Sequence, residues 1–139
     1  MTEKKYGKYV MKPPIFKSDK EVGISINFRD KVDFGEADFS MVWMLVTKPN
    51  IMEKVSHSHY FDQFLLFLGS NSMDVEDFGA EIELSLGEEE EKHTINSPTV
   101  VYVPAGLIHN PINFKKVDKP IVFQEMMLAR SYGKKPPSE

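Results

Sequence analysis

Cysteine is absent from the 139 residues. That excludes a disulfide framework, a thiolate nucleophile and a cysteine-based zinc site, so any metal must be held by nitrogen and oxygen ligands. A basic excess is missing too, since 17 Lys and Arg stand against 21 Asp and Glu for a net charge of −4. Without an overall positive footprint, neither nucleic acid nor an anionic membrane is an expected partner. No apolar run approaches the roughly 18 residues that span a bilayer, and the opening MTEKKYGKYVMK lacks the apolar stretch of a signal peptide. The expectation is a cytoplasmic protein. Helical periodicity is also wanting, because no stretch of about ten residues repeats its apolar positions at the helical period.

What is present is an ordinary globular composition, 41% hydrophobic and 27% charged, at a length suited to one domain. Residues 1–19 are Lys-rich, carry Pro13-Pro14 and read as an extended arm. Residues 20–130 hold the domain, and residues 131–139 (SYGKKPPSE) read as a disordered tail. From Val22 to Arg29 apolar residues take every even position, as in a strand with one buried face. Phe39 to Thr47 is apolar on both parities, as a strand covered on both faces would be. Gln63 to Leu68, Ala80 to Leu86, Glu89 to Ile95, Thr99 to Val103 and Ile121 to Leu128 continue the series, with turn residues between them. The pattern predicts an all-β sandwich or barrel.

Two of the four histidines form His57-Ser58-His59. In an extended chain, residues i and i+2 point to one face about 7 Å apart, so both imidazoles can reach one ion. On a helix they would lie about 200° apart and could not. Gln63 has the same parity, as do Phe61, Leu65 and Phe67. In the second segment, Pro104 and Gly106 stand between a strand ending at Val103 and a third histidine, His109. A tight turn there carries the chain back and lets His109 face the same cavity.

His57-x-His59-xxx-Gln63, with Gly69 beyond it, and Pro104-x-Gly106-xx-His109-xxx-Asn113 resemble the two sequence motifs of the cupin superfamily. The resemblance implies a double-stranded β-helix barrel of the jelly-roll type and one divalent transition metal, Fe, Mn, Ni, Cu or Zn. It assigns His57, His59 and His109 as imidazole ligands and puts Gln63 where the family has a glutamate. The sequence departs from the motifs at Ile51 and Pro98, where the family has glycine, at Gly69, which comes one residue early, and at Gln63. Gln63 can ligate through its amide oxygen or bond to a neighbouring ligand instead.

The walls near the metal are expected to include Trp43, Phe61, Phe67 and Phe123. Glu125, a carboxyl within an apolar strand, needs a partner or a cavity and is the candidate catalytic acid or base. Tyr60 and Asp62 have the opposite parity and are expected at the surface, and His93 is expected to be exposed. The resemblance implies a homodimer and a small-molecule substrate or ligand. It supplies two functional classes: a metal-dependent dioxygenase, isomerase or lyase acting on a small anionic or enolisable molecule, or a non-catalytic binding or sensor protein.

Overall fold

The computed structural model describes residues 4–12, 15–17, 23–28 and 37–130. The residues expected to form a disordered tail, 131–139, lie outside that set. Among the described residues the regular structure is a single 3₁₀ turn, Gly7–Tyr9, and ten strands. These are β1 (Ile15–Lys17), β2 (Gly23–Phe28), β3 (Ser40–Val46), β4 (Asn50–Met52), β5 (Gln63–Gly69), β6 (Ala80–Leu86), β7 (Glu91–Ile95), β8 (Thr99–Val103), β9 (His109–Val117) and β10 (Ile121–Met127). Three of them are not evident in the sequence pattern. β4 is three residues long, β9 carries Pro111 and a Lys115-Lys116 pair, and β1 lies within the expected arm. That part of the arm adds an edge strand to a sheet, with Ile15 opposite Ile26.

The strands form two antiparallel sheets, one ordered β1-β2-β3-β10-β5-β8 and the other β4-β9-β6-β7. Their inner faces enclose one core that contains Val46, Leu65, Phe67, Ile82, Leu84, Ile112, Phe114 and Phe123. The fold is all-β, a jelly-roll barrel. Phe67 and Phe123 are register partners in the larger sheet and stack at 4.9 Å between ring centroids. Phe114 reaches across from the smaller sheet with its centroid 6.1 Å from Phe123. Each such ring contributes about 1.5–3 kcal/mol by burial, and the trio ties the sheets together.

Two pocket expectations are thereby corrected. Phe67 and Phe123, 2% and 0% exposed, fill the core instead of lining an opening, because rings from three strands close on one another there. Trp43 is corrected as well. Ser40, Val42 and Val46 are the buried residues of β3, so the odd-numbered Trp43 stands on the outer face, opposite Ile26 and Gln124.

The register also places one end of the barrel. Met127 lies opposite both Ser40 and Gln63, and Gln63 lies opposite Val103. Across the core, Leu86 lies opposite His109. An apolar hollow bounded by Gly23, Met44, Val46 and Met52 lies at the other end, where Val46 pairs with Gly23 and Ile121.

Candidate metal centre

His57 and His59 lie in the connection between β4 and β5. That segment is fixed by a bridge to the start of β9: the His57 amide donates to the His109 carbonyl at 3.1 Å and the His109 amide donates back at 2.9 Å. Extended geometry therefore holds here outside any regular strand. The side chain of His109 is re-aimed by a bulge. Between the pairs Leu84 with Ile112 and Leu86 with His109, β9 has one residue more than β6, and Asn110 takes φ 79°. Such an insertion shifts the alternation by one, so His109 is buried together with Ile112 and Phe114 despite its odd number.

The turn before His109 is tied to the same segment. The Leu107 amide donates to the Pro104 carbonyl at 3.0 Å, with Gly106 at φ 87°, the positive angle that a type II turn requires at its third residue. The Gly106 amide donates to the His59 carbonyl at 2.9 Å. The Ala105 amide donates to Asp62 Oδ1, also at 2.9 Å, and Tyr102 bonds to the same carboxylate. Asp62 thus clamps the turn, a role for which the sequence gives no signal beyond its parity.

The three imidazoles each bring a ring nitrogen to within 4.8 Å of the others. His57 Nε2 and His59 Nε2 are 3.1 Å apart, close to the roughly 3.0 Å expected of two nitrogens that ligate one ion at about 2.1 Å and a right angle. His109 Nδ1 lies 3.0 Å from the Leu107 carbonyl and His57 Nδ1 lies 3.3 Å from that of Val55. Nδ1–H donation to those carbonyls leaves the Nε2 lone pairs facing one another, the outer-shell pattern of metal-ligating histidine. Burial pushes the His109 imidazole down to about 4, nearby His57 and His59 act in the same direction, and the Leu107 carbonyl opposes them. His109 is therefore neutral at pH 7, as a ligand must be.

Gln63 is 2% exposed and its Oε1 is buried without a hydrogen-bond partner. Buried amide oxygens are rarely left unpaired, and a cation at the histidines would satisfy this one. The donor set fits a divalent metal, with His57, His59 and His109 as the nitrogen ligands. Phe61 packs nearly parallel on His59, with centroids 4.7 Å apart and 18° between planes, and so forms one wall. His57 is only partly buried, which leaves the group open on its side.

Glu125 stands opposite Val42 and Leu65, on the inward row and one side-chain step from Gln63. Glu53, not singled out from sequence, has φ 52°, and its charge acts on the His109 imidazole. Tyr60 is exposed, at 59%. His93 lies on β7, exposed, 2.6 Å from a Glu91 carboxylate oxygen, and takes no part in the three-histidine group.

Comparison with solved structures decides the family of folds. A cupin superfamily protein from Desulfitobacterium hafniense superimposes with a TM-score of 0.51 at 14% identity, over 76% of this chain and 75% of that one. The fold is that of the cupins. The chain is also similar to the oxalate decarboxylase of Bacillus subtilis, a protein with Mn(II) centres, at a TM-score of 0.58 and 13% identity over 86% of the chain. The capsular polysaccharide assembling protein CapF of Staphylococcus aureus gives 0.55 at 10% identity over 91%. The chain spans only 28% and 31% of those two proteins. No protein-family model matches the sequence, and no curated protein matches it.

Proposed function

We propose that this cupin binds one divalent transition metal through His57, His59 and His109, with the Gln63 amide oxygen as a fourth donor. We further propose that it is a cytoplasmic metal-dependent enzyme acting on a small anionic or enolisable organic molecule held at that metal. The observation that carries the reading is the convergence of three imidazoles, His57, His59 and His109, on one point, with the buried Gln63 amide oxygen left without a hydrogen-bond partner. A bound metal would supply Lewis-acid chemistry and, for Fe, Mn or Cu, redox chemistry.

The chain's own residues set the preference for ligand. Three imidazoles and an amide add no negative charge, so the site keeps the ion's +2, where a glutamate at position 63 would reduce it to +1. A bidentate anion such as oxalate, a 2-oxo acid or an enolate offsets that charge. The core behind the histidines is filled by Leu65, Phe67, Phe114 and Phe123, which restricts the ligand to a molecule small enough to sit at the barrel end. Phe61 shields His59 from water. Glu125, on the inward row of β10, and Glu53, whose charge acts on His109, are the carboxylates assigned in this reading to accept or return a proton.

A second reading, a binding or sensor protein without turnover, is favoured by that filled core, which leaves few acid or base groups inside. Metal-loaded protein separates the two. Anaerobic Fe²⁺ protein mixed with a 1,3-diketone or a 2-oxo acid should develop a charge-transfer absorption band. Consumption of the organic molecule over many turnovers on admission of O₂, or decarboxylation of oxalate by the Mn²⁺ form, supports an enzyme. A stable band without turnover supports the binder. If no metal form perturbs any of these ligands, the reading as a whole fails.

A further inference from the structure

Three segments bring oxygen atoms together with too few protons to pair them all. Ser56 Oγ lies 2.7 Å from the main-chain carbonyl oxygen of Asn110 and 3.2 Å from Glu90 Oε1. A hydroxyl has one proton, so it donates to one of these acceptors and turns a lone pair to the other. The side chain of Asn110 adds a further acceptor. Asn110 is 5% exposed, and its Oδ1 is buried without a hydrogen-bond partner. Covalent geometry keeps the two carbonyl oxygens of an asparagine within about 5 Å of each other, so Oδ1 belongs to the same group.

The backbone fixes these segments against one another. The Gly87 amide donates to the Ile108 carbonyl at 2.7 Å and the Glu90 amide to that of Gly87 at 3.1 Å, which ties the turn between β6 and β7 to the residue before β9. The charge of the group is negative. Glu90 is the third of four consecutive glutamates, residues 88–91, and Lys92, which follows them, is engaged by Glu83 at 3.7 Å. A surplus of oxygen acceptors beside a carboxylate is what a hard cation resolves. Two oxygens that ligate Ca²⁺ at about 2.4 Å and about 72° apart, as in a pentagonal bipyramid, are about 2.8 Å from each other, and about 3.4 Å at a right angle. The contacts of Ser56 Oγ, at 2.7 and 3.2 Å, have the spacing of oxygens around a shared ion.

We infer that Ser56, Glu90 and Asn110 form a site for a hard divalent cation such as Ca²⁺, separate from the three-histidine group. Glu90 supplies the charge, Ser56 Oγ and the two Asn110 oxygens the neutral donors, and water the rest of the six to eight ligands. Because Ser56 precedes His57 and Asn110 follows His109, an ion here fastens the same two segments that carry the histidines. With one carboxylate the expected dissociation constant is about 0.1–1 mM, so the ion leaves on gel filtration and does not enter the transition-metal count.

Calorimetric titration of the full-length protein with CaCl₂ should show one site per chain in that range, and the melting temperature should rise with Ca²⁺. Glu90→Gln, at an exposed position, should raise the dissociation constant at least about 10-fold, and Asn110→Asp, which turns the unpaired oxygen into a carboxylate, should lower it about 10-fold. Glu76→Gln, in an exposed acidic loop outside the group, should change neither. The His59→Ala, His109→Ala double variant should still bind Ca²⁺, which prefers oxygen to imidazole, so failure here is distinguishable from failure of the three-histidine site. Absence of saturable Ca²⁺ binding up to about 10 mM overturns the inference. So does binding that Glu90→Gln leaves unchanged, or that Glu76→Gln weakens as much. Should Asn110→Asp fail to fold, the comparison of Glu90→Gln with Glu76→Gln decides alone.

Discussion

Asp62 Oδ1 accepts a 2.9 Å hydrogen bond from the amide of Ala105, and through it the segment between His59 and β5 holds the turn that leads to His109. The link adds to the paired backbone bonds between His57 and His109 and to the Gly106 bond to His59. The two sequence segments are thus fastened to each other before any ion joins them. Preorganisation of this kind lowers the cost of gathering ligands.

Loss of the clamp should therefore weaken the site more than it weakens the fold. Asp62→Ala should reduce thermodynamic stability by about 1.5–3 kcal/mol, the range for a hydrogen bond made by a charged group. It should also lower metal affinity about 10-fold, the low end for loss of a supporting partner. Asp62→Asn keeps an acceptor for the Ala105 amide and should recover most of that affinity. Competition with a chromophoric chelator measures both variants. Affinity unchanged in Asp62→Ala would remove the clamp from the metal site.

The histidines themselves set the stoichiometry. One group of three shares a face among the described residues, so metal analysis should find about one ion per chain. His59→Ala and His109→Ala should each lower metal content and melting temperature together, because binding to the native state alone stabilises it by mass action. A double variant that still carries a full equivalent of metal would place the site elsewhere.

Much of this arrangement is legible in the sequence because it rests on spacing and alternation. His57 and His59 at i and i+2 need only an extended chain, and Pro104 with Gly106 marks the turn before His109. The long alternating or doubly apolar runs appear as β2, β3, β5, β6 and β10. What is not legible depends on partners distant in sequence. Trp43 looks like a pocket residue until the register of β3 with β10 assigns it to the outer face. Phe67 and Phe123 have the right parity for a cavity, but Phe114 from the other sheet closes the space between them. β9 is hidden because its proline and lysines argue against a strand, and the bulge at Asn110 that turns His109 inward has no local signature. Asp62 has a polar side chain with surface parity, and only the folded turn gives it a task.

Gln63 offers a direct test of ligation. If its amide oxygen is a donor, Gln63→Glu adds a carboxylate to the site, lowers the charge from +2 to +1 and should tighten divalent-metal binding about 10-fold or more. The same change should weaken binding of oxalate or another small chelating anion to the metal-loaded protein. Calorimetric titration of metal, then of anion, reads both. Equal affinities in the two proteins for both ligands would place Gln63 outside the donor set.

The protonation state of His109 has a consequence for stability that can be read on metal-free protein. Burial holds the folded-state value at about 4, whereas an unfolded chain should titrate near the ordinary value of about 6.5. The native state therefore binds fewer protons than the unfolded state between those limits, and stability must rise with pH across that window. On acidification from about pH 7.5 nothing should be lost through this residue until about 6.5, and the loss should then grow to about 3 kcal/mol near pH 4 before levelling off. Bound metal competes with the proton for the same nitrogen and should move the onset to lower pH. Urea denaturation at a series of pH values, with and without chelator, gives the two curves. His109→Gln should flatten the slope of the metal-free curve whatever it does to the absolute stability, and a slope unchanged by that substitution would assign the acid sensitivity to other groups.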